Sequence, residues 1–228
     1  MTLMGLVFLF YGDSLTIQTW SASRDALLAA GAAEVRFITD YPEFVSAEGG
    51  DGNGGDSDKA LRFFTTQDVS DVDFVVLNTG LHDMNLLYPN SRERNVCEEQ
   101  YEKNLRDIRS LLGDKLIWRE TFPTYGIPDG GNRDKDDVDR YNLIARYALP
   151  GVLRVAQFPL LPEEFGPDGV HLAEPGRAGV EVARQITSGE IARRVTIGIG
   201  TVIELDAPGV LTVDPNSGGA VLKSHLTD

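Results

Sequence analysis

The stretch that most constrains this chain is residues 5–16, GLVFLFYGDSLT. An apolar run breaks off abruptly at Gly12-Asp13-Ser14. A run without polar alternation is what a strand covered on both faces requires, and such strands belong to parallel sheets flanked by helices. The C-terminal edge of an open parallel sheet is where ligands bind, and Ser14 stands at that edge. A serine there becomes a candidate nucleophile only if the chain also supplies a base and an oxyanion site.

The rest of the chain repeats strand and helix. Residues 21–30 (SASRDALLAA) predict a helix closed by Gly31, and residues 34–39 (EVRFIT) a second strand. A glycine-dense stretch, residues 49–55, leads into a short helix over 58–64. Residues 73–78 (DFVVLN) form another apolar run with a polar end, hence a second central strand. Apolar residues at helical spacing predict a surface helix over 95–112. A strand at 115–118, a polar loop at 123–137, a helix at 138–148, a strand at 152–158 and a helix at 173–186 complete the series. This alternation predicts an α/β domain over residues 1–190, with a parallel sheet and helices on both faces. The tail, residues 191–228, reads differently. Segments 195–205 and 210–213 look like strands, and Asp214-Pro-Asn-Ser-Gly-Gly is a turn signal, so a C-terminal β-hairpin-like extension is expected.

Charge and composition remove several classes of function. With 35 acidic and 21 basic residues the net charge is −14, which argues against nucleic acid or an anionic membrane as partner. One cysteine, Cys97, excludes an internal disulfide and a cysteine-cluster metal site; it is expected as a half-buried thiol in a helix. Residues 1–11 lack a basic n-region and a small-residue cleavage site and are too short to span a bilayer. They therefore read as the first strand, and a cytoplasmic location is the expectation. No G-x-S-x-G occurs, and the glycine stretch has no following Lys-Ser/Thr for a phosphate loop. The segment from Asp51 misses the sixth-position glycine and twelfth-position glutamate of a calcium loop. No cofactor and no metal are expected.

Four pieces at predicted strand ends carry possible chemistry: Gly12-Asp13-Ser14-Leu15, Gly54-Gly55-Asp56-Ser57, Gly80-Leu81-His82-Asp83 and Asp168-Gly169-Val170-His171. In the last, an aspartate three residues before a histidine can fold back onto the imidazole. It would fix the tautomer and stabilise the imidazolium formed when His171 takes the proton of Ser14. The backbone N–H of Ser14, the N–H of a glycine in the second piece and a side chain in the third are candidate donors to a tetrahedral oxyanion. Glycine suits the second position because the backbone must approach the reacting oxygen closely.

In this order, these four pieces resemble the GDSL or SGNH hydrolase superfamily, over about residues 5–187. The resemblance implies a flavodoxin-like three-layer α/β/α sandwich and hydrolysis of carboxylic esters through an acyl-serine. It makes Ser14 the nucleophile, Asp168 and His171 its partners, and Gly55 an oxyanion donor, with Gly54 in competition. The family has Gly-x-Asn-Asp in the third piece, whereas this chain has His82 in place of the asparagine. That resembles the G-x-H-D variant of related polysaccharide O-acetylation enzymes, and His82 is expected to donate an imidazole N–H instead of the amide. The expected substrate is a small-molecule or carbohydrate ester, with a short acyl group. Transfer of the acyl group to a sugar and a silent carbohydrate-binding module are the alternatives. Asp13, Asp83, Trp20 and Tyr125 are candidate substrate-binding residues; Tyr88 is a further aromatic candidate, and Trp118 is expected in the core.

Overall fold

Five parallel strands build the central sheet: β1 (Val7–Tyr11), β2 (Glu34–Phe37), β3 (Phe74–Leu77), β4 (Leu116–Arg119) and β5 (Leu153–Val155), in the order β2-β1-β3-β4-β5. This is the flavodoxin-like doubly wound order. The computed structural model describes residue 3, residues 5–87, 93–125, 133 and 135–188, and the backbone of two later strands, 210–213 and 220–223. Among the described residues, six α-helices accompany the sheet: α1 (Ser14–Ala29), α2 (Pro42–Ala47), α3 (Ser57–Thr66), α4 (Glu98–Leu112), α5 (Lys135–Ala148) and α6 (Gly176–Ile186). α1 packs on α6, while α3, α4 and α5 pack in series, giving two helical layers.

β1 shows why its sequence has no polar alternation. Phe8, Leu9, Phe10 and Tyr11 are all buried, with successive side chains entering opposite layers. Phe10 meets Trp20 of α1, whereas Tyr11 lies against Phe63 and Phe64 of α3. Each such large side chain contributes about 1.5–3 kcal/mol by leaving water. α4 is the amphipathic case. Tyr101, Leu105, Ile108 and Leu112 are buried at helical spacing, and Glu98 and Glu99 complement the positive end of its dipole. Gly113, at φ 58° and ψ −134°, takes a positive-φ conformation open to glycine, and the helix ends there.

The expected sandwich is present, with shifts at element ends. α1 starts at Ser14 rather than at residue 21, because Asp13 caps it: the Asp13 carboxylate accepts the Leu15 N–H. The second strand ends at Phe37 and turns through a 3₁₀ segment, Ile38–Asp40, into α2, which the sequence reading did not anticipate. Cys97 is exposed at the N-cap of α4, not half-buried within a helix.

By internal contacts the chain divides into Met1–Arg193 and Arg194–Asp228. Within the second unit, β6 (Val210–Val213) pairs antiparallel with β7 (Ala220–Lys223), bracketing the turn signal. The strand expected at 195–205, together with Tyr88, lies outside the described residues.

Candidate active site

The order of strands reverses between β1 and β3, and the ends of these two strands carry Ser14 and the turn of His82. Ser14 is the first residue of α1, so its backbone N–H belongs to the positive end of the helix dipole. Gly12 must be glycine, since a Cβ there would lie 2.1 Å from Thr16 Oγ1.

The turn after β5 brings His171 to Ser14. Gly166 N–H donates to the His171 carbonyl (2.7 Å), and Gly169, at φ 64°, closes the turn. Asp168 is folded back by two amides of its own turn: its Oδ1 accepts from Val170 N (3.0 Å) and His171 N (2.9 Å). Its Oδ2 lies 2.5 Å from His171 Nδ1, and His171 Nε2 lies 2.8 Å from Ser14 Oγ. A carboxylate at Nδ1 keeps the proton on that nitrogen, which leaves Nε2 to accept from the serine. Partial burial pushes Asp168 up, but the hydrogen bonds from the His171 ring and from the two amides outweigh it and hold the carboxyl at about 2. Ser14, His171 and Asp168 thus form one continuous hydrogen-bonded chain.

Sequence reasoning did not single out Gln18, which sets the spacing of that chain. One turn after Ser14 on α1, it accepts from Leu172 N (2.9 Å) and donates to Leu172 O (3.3 Å). The residue after the histidine is therefore clamped to the helix that carries the serine. α6 then crosses α1 so closely that a Cβ on Gly179 would lie 2.4 Å from Thr19 O, and Ser23 Oγ donates to Gly179 O (3.0 Å).

The glycine loop offers fewer open donors than expected. Gly54 donates its N–H to Gly12 O (2.9 Å), and its carbonyl accepts from Tyr11 Oη (2.8 Å). A Cβ on Gly54 would lie 2.5 Å from Gly12 O. Gly54 is thus fixed as a backbone brace. Gly55, at φ 67°, directs its N–H to Asn53 Oδ1 (2.9 Å), so an incoming oxyanion would have to displace that side chain. His82 occupies the turn after β3. Burial lowers its pKa, the Asp13 charge opposes this, and Arg133 lowers it further. Burial and Arg133 thus favour the neutral imidazole, which carries one N–H.

The four candidate substrate-binding residues do different work. Asp13 is buried and caps α1. Asp83 is buried too, accepting from Ser57 N (3.0 Å), Thr79 Oγ1 (2.9 Å), Gly80 N (3.0 Å) and Ser57 Oγ. It ties the start of α3 to the turn of His82, and its oxygens are spent within the chain. Trp20 packs against Phe10 and Phe37, between α1 and the sheet. Tyr125 braces the turn of His171: its N–H donates to Gly169 O (2.9 Å), its hydroxyl to Leu160 O (2.6 Å), and its ring packs on Phe165. Trp118 is buried in β4, as expected.

Two arginines were also missed. Arg119, last residue of β4, is wholly buried, and its Nη2 donates to Thr16 Oγ1 and Asn78 Oδ1, each at 2.6 Å. Burial lowers it to about 10 against the favourable charge of Asp13. Its Nε and Nη1, like Asp13 Oδ2, are buried with no partner among the described residues. Arg133 enters from the loop before α5 and donates through Nε to Asn85 Oδ1.

A doubly wound sheet with a Ser–His–Asp chain at its switch point defines an α/β protein of the SGNH-hydrolase fold. The structure is similar to the lipase/acylhydrolase from Enterococcus faecalis, with a TM-score of 0.56 and 16% identity, covering 79% of this chain and 95% of that one. It is also similar to the catalytic domain of peptidoglycan O-acetyltransferase A from Streptococcus pneumoniae, solved with a methylsulfonyl adduct. There the TM-score is 0.48 and the identity 16%, covering 81% of this chain and 91% of that one. The sequence matches no family model and no curated protein.

Proposed function

We propose that the protein is a serine esterase that cleaves short-acyl carboxylic esters through an acyl-serine. The observation that carries this reading is the chain Asp168 Oδ2–His171 Nδ1 and His171 Nε2–Ser14 Oγ, at 2.5 and 2.8 Å. Ser14 Oγ attacks the ester carbonyl as its proton passes to His171 Nε2, and Asp168 stabilises the imidazolium. The imidazolium returns the proton to the leaving alkoxide. Water, deprotonated by the same nitrogen, then cleaves the acyl-serine. The Ser14 N–H at the α1 terminus and the neutral His82 N–H stabilise the oxyanion, joined by Gly55 N–H once Asn53 is displaced.

The E. faecalis protein of similar fold is a lipase/acylhydrolase, which agrees with this reading. Ser14→Ala and His171→Ala are expected to abolish hydrolysis of p-nitrophenyl acetate and, for Ser14→Ala, labelling by a fluorophosphonate, while the melting temperature stays near that of the parent. Adding a carbohydrate acceptor to the assay separates hydrolysis from acyl transfer. Undiminished turnover in Ser14→Ala would refute the proposal.

A further inference from the structure

We propose that Arg133 is a specificity-determining residue that binds a carboxylate on the substrate, so that the preferred esters are monoanionic. This rests on the ester-hydrolase reading above and narrows its substrate class.

The placement of Arg133 comes from both ends of the residue. Its carbonyl accepts from Thr124 Oγ1. The next residue, Tyr125, donates its N–H to Gly169 O, inside the turn that holds Asp168 and His171. At the other end, Nε donates to Asn85 Oδ1, and Asn85 N–H donates back to the His82 carbonyl (3.4 Å). The side chain therefore runs from the base side of the site to the His82 side. Electrostatics agrees with this path. Burial lowers the Arg133 pKa, while Asp13 and Asp168 both act to raise it, and Arg133 in turn lowers that of His82.

Despite their proximity, neither aspartate forms an ion pair with Arg133. The oxygens of Asp168 are engaged by His171 and by two amides, and Asp13 Oδ1 by the Leu15 N–H. With Nε committed to Asn85, Nη1 and Nη2 have no protein partner among the described residues. Of the other cations near the site, Lys59 donates to Asn53 O (2.5 Å), and Arg119 is wholly buried and donates through Nη2 to Thr16 and Asn78. A half-buried guanidinium anchored at Nε presents its two Nη groups as a fork, the geometry that takes a carboxylate bidentately. The protein carries a net charge of −14, so an anionic substrate needs such a local cation to enter. Asp13 and Asp168 in the same field make a second negative charge unfavourable, which selects a monoanion.

The test compares two esters of nearly equal shape, p-nitrophenyl butyrate and p-nitrophenyl hydrogen succinate, in the full-length protein, Arg133→Gln and Arg133→Lys. The readout is the ratio of kcat/KM for the succinate ester to that for the butyrate ester. The parent should favour the succinate ester, and Arg133→Gln should lower the ratio ~10- to 100-fold, as loss of a charge-assisted fork does. Arg133→Lys should fall between, and added salt should erode the parent's preference. A melting curve and fluorophosphonate labelling of each variant report on folding and on Ser14. A ratio equal in parent and Arg133→Gln, with labelling intact, overturns the assignment of Arg133 alone. Absence of both labelling and turnover in the parent overturns the ester-hydrolase reading and this inference together.

Discussion

Asp83 gives the sharpest test of how the site is held together. Its carboxyl is fully buried, and burial is the main cause that raises its pKa from the ordinary 3.8 to about 6, against the opposing hydrogen bonds of Ser57 and Thr79. A raised acid pKa means that the folded state binds the proton more tightly than the unfolded one. The stabilisation is then fully present below about 3.8 and is lost as pH rises through about 6. At 1.36 kcal/mol per unit the full effect is about 3 kcal/mol, of which about 2 kcal/mol falls between pH ~4.5 and ~7.5. Asp83→Asn removes that titration while leaving every other group in place. Urea denaturation of parent and variant across this pH range should show the parent losing about 2 kcal/mol relative to Asp83→Asn as pH rises. Subtracting one curve from the other cancels the remaining carboxylates. A difference that stays constant with pH would refute the reasoning. One that runs the opposite way would mean that the donors from Ser57, Thr79 and Gly80 outweigh burial and favour the charged form.

Gln18→Leu removes both hydrogen bonds to Leu172 and is expected to cost about 1–2 kcal/mol of stability. It should also lower kcat by up to ~100-fold with little change in KM, because the imaged loss is of aim rather than of substrate contact; an unchanged kcat would remove Gln18 from the positioning role. His82→Asn replaces one neutral donor by another and should keep esterase activity within about tenfold, whereas His82→Ala should lose ~100- to 1,000-fold, as for deletion of an oxyanion donor. Equal activity of all three proteins in a steady-state assay would mean that His82 does not face the oxyanion.

The alternation of apolar runs and helical patterns sufficed for the sheet, because β1 and β3 are buried on both faces and admit no polar residue. The Ser14, Asp168 and His171 motifs were legible because the aspartate and histidine share one short turn. The start of α1 was not, since Thr16, Ile17 and Thr19 are β-branched and weaken the helical signal; the Asp13 cap and the packing of α6 override it. Gln18, Arg119 and Arg133 were invisible for a different reason. Their partners lie at Leu172, Thr16 and Asn78, and Asn85, and no local pattern specifies contacts between residues so far apart in the chain. The engagement of Gly55 by Asn53 depends on one backbone turn, which composition alone does not reveal.

The Gln18 clamp and the Gly179 crossing have a mechanical consequence. Side chain and backbone meet at Leu172 as two neighbouring strands would, one donor and one acceptor on each side. Ser14 and His171 are therefore tied to each other through α1, α6 and the turn of His171, so that a displacement of α1 would carry the 2.8 Å pair with it. The glycine loop is bonded to the same strand end through the Gly54 N–H and Gly12 O, whereas the turn of His82 is joined to the start of α3 through Asp83. A shift of the His82 turn relative to α1 would therefore move the His82 imidazole while leaving the contact between Ser14 and His171 in place.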